Sequence, residues 1–182
     1  MNSKVFGSFC GVMTGVCWGV SGVWGQFLFE TRGIDSKWLV PIRILTAGII
    51  LLIYMYFKNR EEVLRILKHK RDLLQALLNG ICGTMMFQLA FFMTVQKSNA
   101  GTATVLQYLC PVITMIYVCL RDRKKPKKIE AFCVFLALAG IFLISTHGNL
   151  GSLVITKSAL LWGLGTAFFM FLTTVIPETL YE

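Results

Sequence analysis

Six long apolar stretches alternate with short polar connections along this chain, at about 5–29, 38–57, 73–96, 98–120, 129–147 and 158–177. Each is near the ~20 residues an α-helix needs to cross ~30 Å of hydrocarbon. Four of them contain no Asp, Glu, Lys or Arg, the second contains only Arg43, and the fifth only Glu130 at its entrance. The pattern predicts an all-α integral membrane protein of about six transmembrane helices, because only helices or closed barrels satisfy the backbone inside lipid.

The basic residues avoid every second connection. Segment 58–72 holds Lys58, Arg60, Arg65, Lys68, Lys70 and Arg71, and segment 121–128 holds Arg121, Arg123, Lys124, Lys125, Lys127 and Lys128. With Lys4 these make thirteen on one side, against Arg32, Lys37, Lys97 and Lys157 on the other. Basic loops near span ends stay in the cytoplasm. The amino terminus is therefore expected inside, and six crossings return the carboxyl end there.

Composition sharpens this picture. The chain is 55% hydrophobic with a mean hydropathy of +0.67, beyond the usual soluble range. Its formal charge of +9 follows from the sidedness of the basic loops, with contact to anionic lipid headgroups in addition. No soluble module is left to bind nucleic acid. The six cysteines, at 10, 17, 82, 110, 119 and 133, all fall within the apolar stretches and form no C-x-x-C pair, so neither a metal site nor a disulfide framework is indicated. The first apolar run is too long and too glycine-rich for a cleavable signal peptide.

The same inventory argues against catalysis. The two histidines, His69 and His147, sit in a connection and at a span end, and no carboxylate lies in the middle of a span. Acid–base or metal-assisted chemistry at depth lacks its groups, so neither catalytic residues nor a cofactor are expected. A proton-coupled exporter of cations usually carries an intramembrane acid. Any route through these spans reads as neutral to mildly cationic.

Small residues organise the first and last spans. Gly7, Gly11, Gly15 and Gly19 recur every four residues and share one helical face, as do Ala159, Gly163 and Ala167. Such faces let helices approach closely in lipid. The two sets lie five spans apart, hence in opposite orientation, as the opening helices of two inverted repeats would. In segment 58–72, Val63, Leu64, Ile66 and Leu67 alternate with basic residues, which predicts a short helix on the headgroups. Pro126 marks the start of the fifth span. The stretch 148–157 reads as a cap over the outer mouth.

Two places carry chemistry. Arg43 is the one charge set inside a span, ~7–8 Å below the interface by helical rise from Trp38. It reads either as a structural, hydrogen-bonded arginine or as a guanidinium that attracts a carboxylate or phosphate. In the fourth span, Thr104, Gln107, Tyr108 and Pro111 follow i, i+3, i+4, i+7 on one face. Pro111 frees the carbonyl of Gln107, so the region reads as a plain kink or as a substrate site beside a broken hydrogen-bond ladder. Gln88, Ser21 and Gln26 offer further polar contacts, and Trp18 a wall.

At these residues the chain resembles the EamA-type transporters of the drug/metabolite transporter superfamily. The resemblance rests on Cys17-Trp18-Gly19-Val20-Ser21, on Arg43, and on Ser98-Asn99-Ala100-Gly101-Thr102 through Leu106-Gln107-Tyr108-Leu109-Cys110-Pro111-Val112. It extends to Gly140 through Thr146, to Trp162-Gly163 and to Pro177. The family's Gly-Glu-Arg-like turn after the fourth span is here Leu120-Arg121-Asp122-Arg123.

The resemblance implies two inverted five-helix repeats around a central site for small metabolites, such as amino acids or their derivatives, in a bacterial inner (plasma) membrane. On that basis residues 1–147 are expected to form the first repeat. Residues 148–182 would supply an outer loop and the first helix of the second. The remaining wall would come from further sequence or from a partner chain. A multi-pass permease working by alternating access is the leading expectation, with Arg43, Thr104, Gln107, Tyr108, Trp18 and Gln88 as solute contacts. A non-transporting membrane scaffold is the alternative.

Overall fold

The computed structural model describes residues 3–123, 126–146 and 156–181, and these are helical apart from short connections. Helix α1 (Ser3–Arg32) is followed by α2 (Ser36–Lys58), α3 (Arg60–Lys68) and α4 (Lys70–Leu78). A π-helical stretch, Asn79–Met85, joins α4 to α5 (Met86–Lys97). Then come α6 (Ala100–Gln107), α7 (Cys110–Arg121), α8 (Lys128–Thr146) and α9 (Lys157–Tyr181). Among the described residues five stretches are long and apolar enough to cross a membrane: Val5–Arg32, Ser36–Lys58, Leu73–Lys97, Ala100–Arg121 and Lys157–Val175. The remaining expected span is α8, a helix of 19 residues. The protein is thus an all-α membrane protein. Residues 148–155 of the expected cap at 148–157, with His147 before it and Lys124 and Lys125 in the basic loop, lie outside the described residues.

Side-chain chemistry explains where the helices begin at the end of the molecule away from the basic loops. Asp35 caps α2, its carboxylate accepting the Lys37 amide at 3.0 Å, and Asn99 caps α6, accepting the Thr102 amide at 2.7 Å. Gln26 ties α1 to the start of α6. Its Nε2 donates to Glu30 at 2.8 Å, while its Oε1 accepts the Ala100 amide of α6 at 2.9 Å. Ser36 donates to Gln96 Oε1 at 2.6 Å, linking α2 to α5. Replacing Gln26 with Leu strands the Ala100 amide and is expected to cost about 1–3 kcal/mol. In detergent the melting temperature should fall by roughly 2–4 °C for each kcal/mol. Gln26→Glu keeps an acceptor for the Ala100 amide but sets a second carboxylate against Glu30, so it should restore only part of the stability, and adding Glu30→Gln should restore more.

Helix α5 is the centre of the bundle. Phe87 and the run Ala90 to Val95 are buried, because α9, α6, α2 and α1 all pack around it. One apolar cluster joins Phe29, Val40, Phe91, Phe92, Val95 and Ala103 near the capped helix starts. A second, of Cys110, Ala167, Phe171 and Val175, fills the space between α7 and α9.

Close helix approach is concentrated at three glycines. A Cβ on Gly25 would lie 2.9 Å from Phe92 Cδ1, one on Gly83 2.8 Å from Thr173 Cγ2, and one on Gly163 2.9 Å from Leu106 Cβ. The small face of α9 is therefore used within this chain, with Ala159 and Ala167 fully buried beside Gly163. The α1 face is not. A Cβ at Gly7, Gly11, Gly15 or Gly19 meets nothing within 4 Å, so the predicted close packing of this stripe has no counterpart among the described residues.

Candidate functional site

The fourth span is broken where its proline predicts. Helix α6 ends at Gln107 and α7 starts at Cys110. The Leu109 amide reaches back only three residues, to Leu106 O at 3.2 Å, and the amides of Val112 and Ile113 both donate to Leu109 O at 3.1 Å. Two donors on one carbonyl are what remains when Pro111 contributes no N–H.

Beside the break lies a cavity of about 610 Å³, within the range of small-molecule sites. Gln107, Tyr108 and Pro111 line it from the break, Thr114 and Cys119 from α7, Glu130 from α8, and Met170 and Thr174 from α9. Gln107 is 6% exposed, and its Oε1 has no hydrogen-bond partner. A buried polar oxygen left in that state is costly unless water or a ligand meets it. Thr114 is occupied, donating to Cys110 O at 3.0 Å.

Arg43 occupies a different place. Its guanidinium carbon sits 4.7 Å above the Phe92 ring, a cation–π contact, and no carboxylate among the described residues pairs with it. It shares a narrow cleft of about 10 Å³ with Trp18, Ser21, Gln88, Phe91 and Phe92, about the room one water needs. Trp18 stacks on Phe87 at 5.6 Å, which closes the cleft on the α1 side. Gln88 Oε1 is buried without a partner.

The six residues expected to contact solute thus separate into two groups. Trp18, Arg43 and Gln88 meet between α1, α2 and α5, whereas Gln107 and Tyr108 meet at the larger cavity with Pro111. Thr104 lines neither, and its hydroxyl donates to Ala100 O at 2.7 Å. Such back-bonding is the usual way a helical threonine is satisfied in lipid. Thr102 is the exception, fully buried with an unpartnered Oγ1. The residue four before it, Ser98, is non-helical and presents no ladder carbonyl to it.

Residues the sequence reading passed over also belong here. Glu130, expected only at a span entrance, lines the larger cavity and brings a carboxylate to it. Thr114, Cys119, Met170 and Thr174 come from helices that sequence spacing does not bring together. The π-helical stretch Asn79–Met85 places Gly83 against Thr173 of α9, with Asn79 Oδ1 buried and unpartnered. π-turns recur where helices serve function. The only signal for this one was Asn79-Gly80 and Gly83-Thr84 inside an apolar run.

The profile of the EamA-like transporter family matches residues 5–146. The chain is 38% identical over 169 residues to the uncharacterized inner membrane transporter YicL of Salmonella typhimurium, covering 93% of this chain and 56% of that protein. It is 27% identical over 161 residues to the uncharacterized inner membrane transporter YedA of Escherichia coli, covering 80% of this chain and 49% of that protein. The chain therefore spans about half the length of these curated relatives. No solved structure matches it.

Proposed function

The chain belongs to the EamA-like transporter family, and on that premise we propose that it forms one side of the solute pathway of a permease for small metabolites. Amino acids or their derivatives are the class that suits its groups. The pathway works by alternating access in a bacterial inner membrane, with the amino terminus in the cytoplasm. Residues 1–147 act as one five-helix unit, and the helix after it opens the next. The observation that carries this reading is the broken fourth helix beside a cavity of about 610 Å³. Gln107 lines that cavity, and its buried Oε1 has no protein partner. Polar groups left open at mid-membrane depth are what a solute with N–H or O–H donors requires.

Arg43 supplies a second element of recognition. Its charge is held by a ring face and by no carboxylate among the described residues, and once the narrow cleft around it opens in the transport cycle it attracts the carboxylate of an anionic or zwitterionic solute. The test is flux of a radiolabelled amino-acid panel in proteoliposomes containing the protein. Arg43→Ala should reduce transport of the carboxylated solute about 10-fold or more, consistent with ~1.5–3 kcal/mol for a hydrogen bond to a charged group. Arg43→Lys should keep part of it, and both variants should insert normally. Unchanged flux in Arg43→Ala would remove Arg43 from solute recognition. Absence of any flux in the parent protein, with specific copurification of another membrane protein, would favour a scaffold role instead.

A further inference from the structure

Away from both cavities, the end of α2 and the start of α3 enclose an apolar groove of about 420 Å³, lined by Leu52, Ile53, Tyr56, Phe57 and Val63. Its residues belong to the last two turns of α2 and to the helix that departs from it, so the groove lies at the edge of the membrane span. Phe57 is 84% exposed there, unusual for a phenylalanine unless lipid covers it.

Two cations follow at this end of α2, each resting on a tyrosine: Arg60 on Tyr56 of the groove wall, and Lys58 on Tyr54 beside it in sequence but outside the wall. The Arg60 guanidinium carbon is 5.3 Å from the centre of the Tyr56 ring, and Lys58 Nζ is 5.6 Å from that of Tyr54. Ring-face contacts hold the side chains in place while leaving their N–H groups available. The wider segment 58–72 carries six basic residues against Glu61, Glu62 and Asp72, so its field is net positive. A free phosphate would use the cations and leave the apolar walls bare. A neutral hydrocarbon would use the walls and leave the cations without a partner.

We propose that this groove binds one anionic glycerophospholipid of the surrounding leaflet. An acyl chain lies along Leu52, Ile53, Phe57 and Val63, and the phosphodiester is held by Lys58 and Arg60. The two aromatic rings mark the depth at which chain gives way to headgroup. The site is independent of the solute pathway and fixes the angle between α2 and α3.

Native mass spectrometry of the purified full chain, titrated with phosphatidylglycerol or phosphatidylethanolamine, tests this directly. Phosphatidylglycerol should bind as a single tight adduct, at least 10-fold more strongly than phosphatidylethanolamine. Each cation contributes roughly 5-fold near an anionic surface, so Lys58→Ala with Arg60→Ala should remove the preference. Val63→Trp, which fills the groove, should weaken both lipids and leave the cations intact. Inorganic phosphate at millimolar concentration should not displace the adduct. Equal binding of the two lipids, an unchanged preference in the double variant, or displacement by phosphate would each overturn the proposal.

Discussion

Gly163→Val is expected to abolish most of the folded protein. Gly163 on α9 faces Leu106 of α6, and a Cβ there would lie 2.9 Å from Leu106 Cβ and 3.0 Å from its Cγ. Neither side has room to yield: Ala159 and Ala167 flank the glycine at 0% exposure, and Ala103 and Leu106 are buried opposite. Overpacking of this kind costs about 1–3 kcal/mol in a well-packed core. In lipid the separated helices gain no compensating hydrophobic burial, because tight packing is itself what holds them. Monodisperse protein recovered in detergent, and its melting temperature, should both fall sharply. Adding Leu106→Ala should restore only part of the loss, since it removes the opposing Cγ and Cδ atoms but leaves the Cβ 2.9 Å away. Gly11→Val is the contrasting case, with open space around its Cβ in this chain. Equal damage at Gly11 would reveal a helix packed on the α1 stripe from beyond the described residues.

Gln107→Leu should move stability and transport in opposite directions. Gln107 is buried with Oε1 unpartnered, so leucine removes an unsatisfied polar group and leaves the volume nearly the same. Stability should hold or rise, because an unmade buried hydrogen bond costs about 1–3 kcal/mol. Transport should fall at least ~10-fold, because the solute loses the acceptor that would meet its donor. Flux in proteoliposomes read beside thermal melts separates the two effects. A loss of both would assign Gln107 a packing role only.

Much of this architecture was legible in the sequence, and the particular residues show why. Apolar length predicts the spans, because lipid thickness imposes helix length directly. Pro111 announces the break at Tyr108 and Leu109, since the missing N–H is a covalent fact. The Ala159, Gly163 and Ala167 face is likewise realised. What sequence does not carry is which face meets which neighbour. The stripes of α1 and α9 look alike, yet Gly163 of α9 finds Leu106 opposite it while Gly7 to Gly19 find open space. Arg43 and Gln107 both read as polar groups set inside spans, yet different helices separate them into two pockets. Glu130 is at the span end as its position predicts, in the first turn of α8, but one dimension does not show that it shares a cavity wall with Cys119 and Met170.

The proposed pathway requires the space beside the broken fourth helix to be open to water and solute. Cys119, partly buried on its wall, reports on it when Cys10, Cys17, Cys82, Cys110 and Cys133 are replaced by serine. A membrane-impermeant methanethiosulfonate applied to inverted vesicles should modify Cys119, and a transported amino-acid solute should slow the reaction severalfold. If Cys119 stays unmodified while an Arg121→Cys control two residues along reacts to completion, the cavity is closed to water and the proposed pathway is wrong.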